Sequence, residues 1–115
     1  MAAIGRFAPP IALMALIFYL SSLPSIGTDL GAIDLILRKA AHMTEFGLLW
    51  LLINRALGWN ASRAAAVAAI AYSVTDEIHQ TTVDGRHGTP VDVLIDAAGV
   101  ALAALLLRAS RARSR

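Results

Sequence analysis

Ionisable residues break the four long apolar stretches of this 115-residue chain at three places. These are His42-x-x-Glu45, Asp76-Glu77-Ile78-His79-Gln80 and Asp92-x-x-x-Asp96, each at one end of its stretch. A charged group near hydrocarbon costs roughly 2.5–3.5 kcal/mol on insertion scales, so such residues persist where they line a polar cavity, pair with one another or bind a ligand. Hydrophobic residues make up 57% of the chain and its mean hydropathy is +0.64. A small soluble core does not use so much apolar sequence, which places the chain in the membrane class.

A helix needs about 20 apolar residues to cross hydrocarbon. The stretches 7–23, 40–57, 61–80 and 91–107 approach that length. They predict an all-α fold, one domain over 1–115, in the form of a membrane-embedded antiparallel four-helix bundle with short connections. Pro9 and Pro10 are expected in the opening turn of the first helix, where their missing N–H groups would be unbonded anyway. Between the first two helices, Ser25 to Lys39 carries Gly27, Asp29, Gly31 and Asp34 ahead of Leu35-Ile36-Leu37. That pattern fits a segment lying at the interface or re-entering it. Arg6 ahead of an apolar run also has the form of a cleaved leader, but Ser21-Ser22-Leu23-Pro24 brings no A-x-A site.

Charge orients the predicted bundle. Four spans put both termini and the Asn54 to Arg63 connection on one side, with seven basic residues (Arg6, Arg55, Arg63, Arg108, Arg111, Arg113, Arg115) and no acid. The opposite side holds Arg38, Lys39 and Arg86 with all eight acids. Lys and Arg decide orientation, so both termini are expected in the cytoplasm and the polar clusters on the extracytoplasmic face. The pI near 9.7 does not point to nucleic acid, because the basic residues are dispersed or confined to the tail, with no basic stripe interleaved with aromatics. A basic tail beside a membrane is instead attracted to anionic lipid. The chain has no cysteine, which excludes disulfides, thiol catalysis and thiolate metal sites.

Helical phase gathers the polar residues. His42 and Glu45 share one face with Arg38 and Leu49. Tyr72, Ser73, Asp76, His79 and Gln80 share another, with Glu77 at its edge, while Asp92 and Asp96 head a stripe continued by Gly99 and Ala103. Three such faces can converge beneath the loop carrying Gly85-Arg86-His87-Gly88. His42, Glu45, Asp76, Glu77 and His79 are the candidate acid–base groups, His42 or His79 carrying a proton and the carboxylates orienting or accepting it. Gln80, Arg86, Asp92 and Asp96 are the candidate ligand-binding groups. Arg86, between glycines, can present a guanidinium fork to phosphate. Structural roles compete with each of these: an ion pair at His42 and Glu45, a polar helix end at 76–80, and a salt bridge from Arg86 to Asp92, Asp76 or Glu77. A divalent metal on Asp76, His79, Asp92 and Asp96 is a further alternative, although the paired Glu-x-x-His pattern of di-iron bundles is missing. Tyr19, Tyr72, Trp50 and Trp59 fit packing or interface roles. No Ser-His-Asp order or nucleotide loop is present, and Ser73 is the one nucleophile candidate near the cluster.

In their order, His42-x-x-Glu45-Phe46, Asp76-Glu77-Ile78-His79-Gln80, Gly85-Arg86-x-Gly88 and Asp92-Val93-x-x-Asp96-x-x-Gly99 resemble the motif series of the VanZ-like family of small bacterial membrane proteins. The resemblance spans roughly Ser21 to Ala104. It departs from the family pattern at Asp96, where Asn is common, and near Val83, where an aromatic is common. The resemblance implies a bacterial cytoplasmic membrane protein with an envelope role, related to teicoplanin resistance, and names no reaction. Two functions therefore stand as expectations. One is recognition or processing of a phosphate-bearing lipid or envelope intermediate at an outward pocket. The other is a non-enzymatic lipid- or antibiotic-binding or transport-type protein, with the cluster as ligand site or proton relay.

Overall fold

Pro9 and Pro10 lie well inside the first helix, and an arginine of the second helix takes up the acceptor that Pro9 leaves. A computed structural model of the chain describes residues 2–22, 32–83 and 90–113. Its first helix, α1, runs Ala2–Ser22, beginning five residues before the predicted span. The prolines therefore fall in the helix body and not in its opening turn. Proline has no N–H, so Pro9 cannot donate to the Gly5 carbonyl one turn back. The Arg55 guanidinium donates to that carbonyl instead, at 3.2 Å. In return Arg6 Nε donates at 2.8 Å to the Ala56 carbonyl, one of the acceptors left over at the C-terminus of the second helix.

The second helix, α2, spans Ala32–Ala56 and starts eight residues before the predicted 40. Residues 32–39 are thus helix continuous with α2; the rest of the segment expected at the interface, residues 25–31, lies outside the described residues. No glycine or proline interrupts 32–46, so the helix continues past the end of the apolar run. It stops in a Schellman turn. Trp59 N donates to Asn54 O at 2.8 Å and Gly58 N to Arg55 O at 3.0 Å, with Gly58 at φ 82°. The third helix, α3, covers Ser62–Gln80 and the fourth, α4, covers Pro90–Arg113, running on through the tail arginines. The described residues contain no strand.

Consecutive helices alternate in direction, as predicted, but the closest pairing is between two parallel helices. Along α2 and α4, Lys39 meets Asp92 and His42 meets Asp96. Further along, Met43 meets Gly99 and Gly47 meets Ala103, so both numbers rise together. α2 also packs on α1 and α3, whereas the α1 and α4 backbones do not approach each other closely. Two glycines permit the close approach. A Cβ at Gly47 would lie 2.8 Å from the Gly99 carbonyl oxygen, and one at Gly99 would run into the Met43 backbone carbonyl. The core beside this seam is Ile17, Phe46, Leu49, Trp50, Ala65, Ala69, Val100 and Ala103. Tyr72 closes it, its ring 6.2 Å from Phe46 and its hydroxyl donating to the Met14 carbonyl of α1.

Polarity is distributed inside out. Ile36, Val67, Leu94, Leu105 and Leu106 are each at least 60% exposed, while Asn54, Ser73, Asp76, Glu77, Gln80 and Asp96 are at most 5% exposed. By length and composition, α4 is long and apolar enough to cross a membrane, and Ile4–Leu20 of α1 is a shorter apolar run.

Candidate functional site

Where the α2–α4 seam leaves its glycines it becomes ionic. Lys39 pairs with Asp92. One turn further on, His42 Nδ1 stands 3.4 Å from Asp96 Oδ1. The other oxygen of Asp96 accepts a 2.6 Å hydrogen bond from Ser73 Oγ of α3. Asp96, 1% exposed, therefore ties three helices together. A hydrogen bond to a carboxylate is shorter and stronger than a neutral one, which offsets part of the cost of taking that charge out of water.

Asp76 is the second buried carboxylate. It lies one turn before Gln80, whose Nε2 donates to Asp76 Oδ2 at 3.1 Å. Glu45 and Asp76 lie within electrostatic range of His42, and Glu45 within range of Asp76 and Asp96. The result is one layer of His42, Glu45, Ser73, Asp76 and Asp96 where α2, α3 and α4 meet. The half-buried imidazole runs parallel to the Phe46 ring with centroids 6.4 Å apart, so apolar packing backs the layer on the side of the core.

Other predicted site residues point elsewhere. His79 turns to α1, its Nε2 2.9 Å from Ser22 Oγ and its ring stacked on Phe18 at 4.1 Å. Glu77 is buried along an apolar groove between α3 and α4, with Val74, Ile78 and Leu94. Asp92 is drawn to Lys39 at the head of the seam. The four metal-ligand candidates are thus divided among three neighbourhoods. Among the described residues, no three His, Asp or Glu side chains are grouped so as to hold an ion. Arg86, with Gly85 and Gly88, lies outside the described residues.

Three participants carry more than the sequence pattern alone assigns them. Ser73, the nucleophile candidate, is fully buried and its hydroxyl donates to Asp96. Lys39, a topology charge by sequence, pairs with Asp92 across the seam. Ser22, the partner of His79, carried no signal of its own.

These contacts define a small all-helical protein that buries the carboxylates of Asp76, Glu77 and Asp96 and leaves many large apolar side chains exposed. A family model described as VanZ/LLP1 matches residues 7–111, and the chain belongs to the VanZ/LLP1 family. Neither a curated protein nor a solved structure gives a significant match.

Proposed function

We propose that this protein is embedded in the bacterial cytoplasmic membrane and uses the buried polar layer to recognise a phosphate-bearing lipid of the cell envelope. The observation that carries the reading is the inverted polarity. Buried Asp76 and Asp96 lie within a bundle whose exposed face is Leu, Ile, Val and Phe, an arrangement that suits hydrocarbon outside and a ligand site within. The basic residues support an orientation: Arg6 and Arg55 clasp each other's helices at one end of the bundle, and Arg63, Arg108, Arg111 and Arg113 belong to the same helix ends. This end is cytoplasmic by the positive-inside rule, which sets the polar layer toward the outside.

In this reading the ligand phosphate competes with Asp92 for the ammonium of Lys39, whose side chain is still 35% exposed within its ion pair. Arg86 adds a guanidinium by its place in the sequence. His42 is the proton carrier and Asp96, held by Ser73, is its partner, with Glu45 and Asp76 completing the field around it. A proton relay across the whole bundle is less favoured. Toward the arginine end the buried polar group among the described residues is Asn54, which does not titrate.

Two measurements test this. The chain lacks cysteine, so single cysteines report topology cleanly. Thr82→Cys is expected to react with a membrane-impermeant maleimide on intact cells, and Ala109→Cys only after lysis; the reverse pattern would put the site on the wrong face. Purified protein offered polyprenyl phosphate, phosphatidylglycerol phosphate or a lipid-linked wall precursor is expected to retain one of them in native mass spectrometry. Retention is expected to fall in Lys39→Ala and Arg86→Ala, and any product release to stop in His42→Ala and Asp76→Asn. Retention and turnover that survive all four changes would remove the layer from the function.

A further inference from the structure

The opposite end of the bundle holds a second cleft with its own chemistry. It is a space of about 720 Å³ between Trp50 of α2, Ser62 of α3 and one face of α4. Ala101, Ala104 and Leu105 give it an apolar side, and Arg108 and Arg111 line it as well. Along α2, Trp50 lies eight residues from His42, about 12 Å at the helical rise, so this cleft is separate from the polar layer.

The N-terminus of α3 borders the same space, and it lacks the groups that ordinarily satisfy a helix start. Its N-cap residue, Ala61, offers no side-chain hydrogen bond, and its first turn contains no acid. That turn instead carries Arg63, the charge sign that the positive end of a helix dipole disfavours. Ser62 is fastened in place, its hydroxyl accepting from Asn54 Nδ2 at 3.2 Å and its carbonyl from Trp50 Nε1 at 3.0 Å. Arg111 is steered toward this corner by the Trp59 ring, 5.9 Å from its guanidinium carbon. No Asp or Glu occurs between Glu45 and Asp76 or after Asp96, so no carboxylate side chain in these segments balances Arg108 and Arg111 at the cleft or the uncapped start of α3. An anion would relieve all of them together.

We infer that this cleft binds an anionic glycerophospholipid. Its phosphate sits between Arg108, Arg111 and the start of α3, and one acyl chain lies along Ala101, Ala104 and Leu105. The apolar side selects a lipid over free phosphate, and the arginines select an anionic headgroup over a zwitterionic one. The inference rests on the membrane placement proposed above and is independent of the ligand assigned to the polar layer.

The test offers the detergent-purified protein equal amounts of phosphatidylglycerol and phosphatidylcholine and reads retained lipid by native mass spectrometry. The unaltered protein is expected to keep one phosphatidylglycerol per chain with a preference of about tenfold or more, since each arginine near an anionic headgroup contributes on the order of 1 kcal/mol. The double variant Arg108→Gln/Arg111→Gln, altered at two exposed positions, is expected to lose the preference, and Ala104→Trp to lower retention of both lipids. Equal retention by the unaltered protein overturns the inference. So does a preference that survives the double variant, or one lost in His42→Ala instead, which would place the lipid at the other end. Alkaline carbonate extraction separates the two levels of the argument. A protein that stays in the membrane pellet without lipid preference sinks this inference alone, whereas one released by carbonate sinks the membrane placement as well.

Discussion

Gly99→Ala is expected to be among the most damaging single changes in this protein, although it adds one methyl group. The new Cβ would meet the Met43 backbone carbonyl, which cannot swing aside as a flexible side chain would. α2 and α4 must therefore separate along the seam. Overpacking of this kind costs about 1–3 kcal/mol where side chains can yield, and a backbone obstacle puts Gly99→Ala at or above the top of that range. Gly47→Ala, with its Cβ 2.8 Å from the Gly99 carbonyl oxygen, is expected to follow closely. Gly5→Ala is the control, since a Cβ there meets nothing within 4 Å. Alanine is also the better helix former by roughly 0.5–1 kcal/mol. Thermal denaturation of the three variants in detergent should show a lower midpoint for Gly99→Ala and an unchanged or higher one for Gly5→Ala. Equal midpoints would mean that the α2–α4 contact is not the seam described.

The second large effect is expected at Asp96. Asp96→Ala leaves Ser73 Oγ without the acceptor it now reaches at 2.6 Å and His42 without the carboxylate facing it. Removing one member of a buried, hydrogen-bonded pair costs about 3–5 kcal/mol. Because His42 is half-buried, the lower end applies. Asp96→Asn retains an acceptor for Ser73 and is expected to cost clearly less in stability while still impairing any product release, since it removes the proton partner of His42. Asp92→Ala, in a pair open to solvent on the Lys39 side, should cost under about 1 kcal/mol. The order Asp96→Ala, Asp96→Asn, Asp92→Ala in declining damage is the result to check. A different order would mean that Asp96 is not the node of the layer.

The number and type of elements were legible because apolar run length reports them directly, and α3 begins within one residue of its expected start. The helices that run beyond their expected bounds do so for the same reason. Apolarity marks the part of a helix that meets hydrocarbon or core, whereas the helix itself continues until something stops it, as in α2 from Ala32 and α4 to Arg113. For the site, period and phase brought His42, Glu45, Asp76 and Asp96 to facing surfaces, and the structure places them in one layer. Three side chains diverged: Glu77 at the edge of its arc, Asp92 toward Lys39, and His79. His79 found Ser22 and Phe18 on α1, a helix with no charged residue near that end to announce the contact. Helical phase fixes the direction of a side chain but not its neighbour. The parallel pairing of α2 with α4 was hidden for the same reason, since it depends on which two of four faces carry the glycines.

That pairing has a consequence for how the site comes into being. Lys39 and Asp92 are 53 residues apart in sequence, and every contact along the seam has similar separation, so loop closure must precede any of them. During synthesis α1, α2 and α3 emerge first, and His42, Glu45, Ser73 and Asp76 wait together without the carboxylate that joins them. The layer is completed in one late step, when α4 docks and brings Asp96 and Asp92 at once. Chains stalled before that step carry half-matched polar side chains between their helices, the kind of exposed intermediate on which cellular quality control acts.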